Sequence, residues 1–325
     1  MTSIEQSLAA WGDFDRDDPF PLFGAVRRRG PVHKVTLADG HEAWLVVGYE
    51  EAKAALNDPR ISKDMQAAMA RAGGVVAEGL PGRAFARHML AVDPPDHTRL
   101  RRLVAAAFSV RRVEALQDDV ETIVANALDA IAAQGPDAVV DLVAAFAFPL
   151  PFTVICRLLG VPASWRAAFG AALLEMLVPT RTPEEFAAAK TASDNVVATL
   201  EDLVASKRQE PDDALVSALI AARDGEDRLT EQELLSTIFQ LIIAGHDTTS
   251  SLIGNAVVAF LLHPEQLARL RADPSRLPAA VEEIIRYDAP VPHSTFRYAP
   301  EDLELGGVVI PRRRADHREL GGGKP

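Results

Sequence analysis

The sequence predicts a mainly α protein with a small β region assembled from segments near both ends of the chain. Three observations predict it. Most of the chain is Ala- and Leu-rich with apolar residues at helical spacing. Prolines such as Pro94, Pro149, Pro162, Pro179, Pro211 and Pro264 punctuate that pattern. Strand-like runs lie near the two ends. With 325 residues, 48% hydrophobic and 25% charged, the chain can bury a substantial core.

Taken in order, the N-terminal MTSIEQSLAAWGDFDRDDPFPL lacks a basic start followed by an apolar run and does not read as a signal peptide. Pro31–Thr36 and Trp44–Val47 carry β-formers on either side of Ala38-Asp39-Gly40 and predict a hairpin. The stretch from Ala138 to Val161 is the most membrane-like. Asp141, Pro149, Pro151 and Arg157 interrupt it, so it reads as two buried pieces around a Pro-rich bend rather than a span. Thr230-Glu231-Gln232-Glu233 is a capping box, in which hydroxyl and carboxylate each satisfy an orphan N–H. It opens a helix that His263-Pro264 closes, roughly 33 residues and about 50 Å long, apolar on most faces and so expected to cross the centre. A second strand pair is predicted in Leu303–Ile310 around Gly306-Gly307. No long linker or internal repeat divides the chain, which predicts one main domain over residues 1–311.

Charge and cysteine content exclude several functions. A net charge of −12 argues against nucleic acid, which needs concentrated Lys and Arg. One cysteine excludes an internal disulfide and multi-cysteine zinc or iron–sulfur sites. The expected setting is the cytoplasm, without membrane attachment.

Three motifs carry chemistry. In mid-helix, Ala244-Gly245-His246-Asp247-Thr248 places a glycine, a carboxylate and hydroxyls where helix formers would be better. Thr and Ser there can bond back to the carbonyl four residues earlier and bend the helix. Spacing alone leaves two readings open, a polar groove or a helix crossing with satisfied hydroxyls. Glu283 and Arg286, three apart, share one helix face and can pair. His97 and Arg101, after Pro94-Pro95, stand one helical turn apart and suggest a small anion site or a solvated basic helix.

Together, and in this order, AGHDTT, the Glu283-Ile284-Ile285-Arg286 helix with its following strands, and the DPPDHTRLRR segment resemble bacterial cytochrome P-450 proteins. The resemblance runs from about Trp11 to Pro311. It implies the cytochrome P-450 fold and a haem-dependent monooxygenase that hydroxylates or epoxidises a small organic molecule, in secondary metabolism. It implies haem b as cofactor, and electrons from NAD(P)H through ferredoxin reductase and ferredoxin. By resemblance, Ala244 and Gly245 let haem and oxygen approach the backbone, Thr248 presents its hydroxyl to oxygen, and a partly buried Asp247 delivers protons. His246 holds a variable position with no role. His97, Arg101 and Arg297 would bind haem propionates, and Glu283 and Arg286 would form a buried structural pair. Arg99, Arg102, Arg111 and Arg112 suggest a docking face for an acidic ferredoxin, against a solvated helix as the alternative. Pocket contributors are expected around Met65–Phe85 and Phe169–Arg181.

The family's iron ligand is a cysteine in a Gly-rich loop beyond the Glu283–Arg286 helix. Cys156, in PFTVICRLLGVP, precedes that helix and reads as a buried structural thiol. The family pattern stops at Pro311, so the fold is expected without its C-terminal part, and residues 312–325 read as a disordered tail or a frame shifted by one nucleotide. One permitted reading of the shifted frame, Ala-Gly-Ala-Gln-Ile-Ile-Val-Ser-Leu, resembles the strand that continues the family. The expectations are an enzyme inactive as this chain, with doubtful haem retention and poor solubility. The alternative is a haem-free helper resembling the P-450-like proteins that activate glycosyltransferases.

Overall fold

The computed structural model describes residues 15, 18–37, 42–71, 85–108, 110–177, 182–223 and 228–312. They divide into two compact units. One comprises residues 1–76 with 295–325, and the other residues 77–294.

The first unit joins the two ends of the chain. Helix α1 (Phe20–Arg28) buries Leu22 and Val26 against Leu45 and Val47. Strands β1 (Val32–Thr36) and β2 (Glu42–Val46) pair antiparallel with Val32 opposite Val46 and Thr36 opposite Glu42. The hairpin is as predicted, although its expected turn at 38–40 lies outside the described residues. Helices α2 (Tyr49–Asn57) and α3 (Met65–Arg71) follow. From the C-terminal side, β3 (Leu303–Leu305) and β4 (Val308–Ile310) pair through Gly306-Gly307. Both glycines have positive φ, 58° and 76°, as a two-residue hairpin turn requires. A Cβ on Gly306 would stand 2.8 Å from Pro31 Cγ, so the β region depends on a bare backbone there. Ser62 and Tyr298 exchange backbone hydrogen bonds of 2.9 Å and stitch the two ends together.

The second unit holds α4 (Asp96–Ala107), α5 (Val110–Glu114), α6 (Gln117–Ala132), α7 (Pro149–Leu159), α8 (Arg166–Leu177), α9 (Pro183–Gln209), α10 (Leu215–Arg223), α11 (Glu231–Leu262), α12 (Pro264–Ala272) and α13 (Leu277–Tyr287). Its core is built from Leu100, Leu159, Leu173, Leu200, Leu219, Leu234 and Ile238. Reciprocal capping boxes start α9 (Thr182 with Glu185) and α11 (Thr230 with Glu233), the second as predicted. No helix of the described residues is long and apolar enough to cross a membrane.

Two expectations change. The Ala138–Val161 stretch is not two buried pieces around a bend. Val139 is fully exposed, and Val143–Ala147 form a π-helical turn leading into α7, whose first turn accommodates Pro149. Helix α11 has the predicted limits but is buried only in its first half. Leu261 and Leu262 near its end are 73% and 68% exposed, since no described element covers that face.

Candidate functional site

The polar turn of α11 has two sides. Towards α7, Gly245 lacks a side chain where a Cβ would stand 3.1 Å from Ile155 Cδ1 and 3.3 Å from its Cγ1, so the glycine allows the two helices to close. His246, beside it, is buried between the rings of Phe148 and Phe152. The centroid distances are 4.3 and 5.7 Å, with both rings nearly perpendicular to the imidazole. Neither of its ring nitrogens has a hydrogen-bond partner among the described residues. Burial pushes its pKa below the usual histidine value, partly offset by Asp247. On the open side, Ala244 and Asp247 are exposed, and the Thr248 hydroxyl donates to the Ala244 carbonyl at 2.9 Å. Asp247 is therefore not the partly buried carboxylate expected. The back-bonding that the sequence predicted is present at Thr248 and, more weakly, at Thr249 to Gly245 over 3.4 Å.

Helix α4 presents the second group. Leu100, Leu103, Val104 and Ala107 form its buried face, which packs on α10. His97 is half-buried, and Arg101 is exposed without an ion pair among the described residues. Arg99 and Arg112, two members of the expected docking face, are engaged elsewhere. Arg99 pairs with Glu233, while Arg112 donates to the Ala107 carbonyl (2.5 Å) and the Asp213 carbonyl (2.8 Å). Arg102 and Arg111 remain exposed. In the first unit, Arg297 is half-buried and its Nε lacks a partner.

On α13, Glu283 and Arg286 form a bidentate pair at 2.6 and 2.7 Å, which holds the Glu283 carboxyl below its usual value. The pair is not buried as expected. Its side chains are 60% and 69% exposed, because no described residue packs over that face. Cys156 is fully buried among apolar neighbours, and burial raises its thiol to about 11. Of the expected pocket regions, residues 72–84 and 178–181 lie outside the described residues, whereas Phe169, Leu173 and Met176 belong to the core.

The chain has relatives among known proteins. The cytochrome P450 family signature matches residues 171–313. Cytochrome P450 107B1 of Saccharopolyspora erythraea is 46% identical over 320 residues, covering 96% of this chain and 76% of the relative. The chain belongs to the cytochrome P450 family. The 6-deoxyerythronolide B hydroxylase of the same organism is 46% identical, over 91% of this chain and 73% of its own. The ligand-free structure of the P450 monooxygenase TamI superposes with a TM-score of 0.76 at 42% identity, over 91% of this chain and 68% of that one. The mainly α cytochrome P450 fold expected from the motifs is therefore the observed one, and the relatives include a hydroxylase and a monooxygenase by name.

Cytochrome P450 proteins bind haem, and bacterial members generally act on small organic substrates with electrons from ferredoxin and its reductase. Two guanidinium groups are of the type that holds a haem carboxylate. Arg101 is exposed with no ion pair among the described residues, and Arg297, in the other unit, has a buried Nε with no partner among them. The thiol does not suit haem, since a buried Cys156 with a raised pKa is a poor thiolate donor. Two features escaped the sequence reading. The burial of His246 depends on Phe148 and Phe152, about a hundred residues away, and the partner of Glu233 is equally remote. Only the even apolar pattern around AGHDTT hinted at a packed face there.

Proposed function

We propose that this chain carries the distal and propionate-binding parts of a haem-dependent monooxygenase that hydroxylates a small organic molecule of secondary metabolism. The observation that carries the reading is the polar turn Ala244–Thr248, open on one side of a mainly apolar helix. When bound, haem supplies the redox centre at which dioxygen is activated. His97 and Arg101 on α4 hold its propionates through charge-assisted hydrogen bonds. Arg297 binds a carboxylate through its unpaired Nε. The small side chain of Ala244 on the open side leaves room for oxygen while Gly245 lets α7 close on the other side, and the Thr248 hydroxyl offers a hydrogen bond once released from the Ala244 carbonyl. Asp247, exposed beside it, exchanges protons with solvent and passes them towards Thr248. Glu283 and Arg286 brace α13. The name of the 6-deoxyerythronolide B hydroxylase favours hydroxylation over epoxidation.

Ferredoxin would dock on the exposed Arg102 and Arg111. Reversing Arg112 is a poor test of docking, because that side chain also caps the end of α4.

The test is titration of the chain with haemin followed by absorbance. Saturable one-site uptake, weakened in Arg101→Gln, is the expected result, and non-saturable adsorption in both proteins would overturn the reading. The reduced carbon-monoxide difference spectrum of the same sample should lack a thiolate-type band. A thiolate band would mean that Cys156 holds the iron.

A further inference from the structure

Glu233 divides its two carboxylate oxygens between two tasks. Oε2 accepts the Thr230 backbone N–H at 2.9 Å and completes the cap of α11. Oε1 accepts from Arg99 of α4, whose other guanidinium nitrogen donates to the Arg228 carbonyl at 3.1 Å. Arg87 lies 3.9 Å from the same oxygen and donates to Asp96, also on α4, at 3.1 Å. One turn further along α11, the Ser236 hydroxyl accepts the Arg87 backbone N–H at 3.3 Å. Glu233 is only 3% exposed, so this carboxylate is compensated inside the protein rather than by water.

We propose that Glu233 is a positioning residue that holds α4, and with it His97 and Arg101, in register with the polar turn of α11. The proposal rests on the haem reading above. The apolar face of α4 packs on α10, and apolar contacts are non-directional. A buried, charged and doubly hydrogen-bonded joint is directional. It fixes both the rotation and the height of α4 relative to α11, and His97 and Arg101 lie two residues to either side of Arg99 on that helix. Burial works to raise the Glu233 carboxyl, but the Thr230 N–H and Arg99 together hold it below the usual value, so the joint stays charged at neutral pH. Glu233 touches no proposed haem contact, and neither Arg99 nor Arg87 is among the propionate residues.

Glu233→Gln separates the two tasks, because glutamine also serves in a capping box while losing the charge that faces Arg99. Hydrogen exchange of the α4 amides should accelerate about tenfold in Glu233→Gln and in Arg99→Gln, with no further gain in the double variant, and α9 should be unaffected. Affinity for iron-free protoporphyrin IX, which carries both propionates and needs no axial ligand, should fall several-fold in Glu233→Gln. Unchanged α4 exchange, or an acceleration spread evenly over α9 and α10, would overturn the joint. Faster α4 exchange with unchanged porphyrin affinity would overturn its positioning role. A parent chain that takes up no protoporphyrin would overturn the haem reading itself, whereas α4 exchange would still decide whether the joint exists.

Discussion

At the residue scale, His246 and His88 share a property that sets the pH response. Burial lowers the pKa of both, with Gln240 partly offsetting it at His88 and Asp247 at His246. A group that binds its proton more weakly when folded contributes stability that is intact above its unfolded value, here 6.5, and lost as pH falls through the lowered one. The urea midpoint should therefore be flat from pH 8 to 7 and fall as pH drops below 6.5, with a smaller fall in His246→Phe. An equal fall in the variant would show that His246 is not one of the responsible groups. Gly245 makes a second prediction. Gly245→Val should cost about 1–3 kcal/mol in urea unfolding by driving a side chain into Ile155, and Ile155→Ala should recover part of the loss. Cys156 should resist thiol reagents at pH 8 until the chain unfolds, which a time course with and without urea would reveal. Sequence identified AGHDTT but not which of its residues face inward. Helical spacing gives the angle between Gly245, His246 and Asp247, whereas the direction of the core is supplied by α7.

Elements were more legible than residues. The limits of α11 were readable because Thr230, Glu233 and His263-Pro264 act within a turn of themselves, and the same holds for Gly306-Gly307 between β3 and β4. Thr182→Ala removes the hydroxyl half of the α9 cap and should cost about 1 kcal/mol, read from the urea midpoint. The exposed Glu283–Arg286 pair shows the limit of such local reading. Its i,i+3 geometry was foreseeable, but burial depends on what packs above α13, which is not a local property. Arg99 and Arg112 show it again, since side chains that read as a solvated basic face are taken up by Glu233 and by the end of α4.

At the scale of the whole molecule, the hydropathy of α11 predicted burial along its length, and the described residues supply it for the first half only. Val258, Leu261 and Leu262 are left as an apolar face, with Val281 and Ile285 of α13 also exposed. Such faces associate. Leu261→Glu should lower the weight-average mass in sedimentation at high concentration while leaving the melting midpoint nearly unchanged, as surface substitutions are usually worth within about 0.5 kcal/mol. An unchanged mass distribution would show that this face does not drive association. The joining of both chain ends into one unit was legible only in outline, because each end pairs its strands with itself and the ends meet through the Ser62–Tyr298 bridge, which no local signal marks.

The π-helical turn at Val143–Ala147 has a consequence for the lineage of this chain. A π turn contains one residue more than the α turn it replaces, so it is a place where a helix has room to gain or lose a codon. Deleting Ala145 would let the turn relax to α geometry while the residues on either side kept nearly the same angle about the axis. Phe148 would then keep its place against His246. A one-residue deletion here would therefore be absorbed within the turn itself, making this short segment a tolerant joint beside an intolerant one.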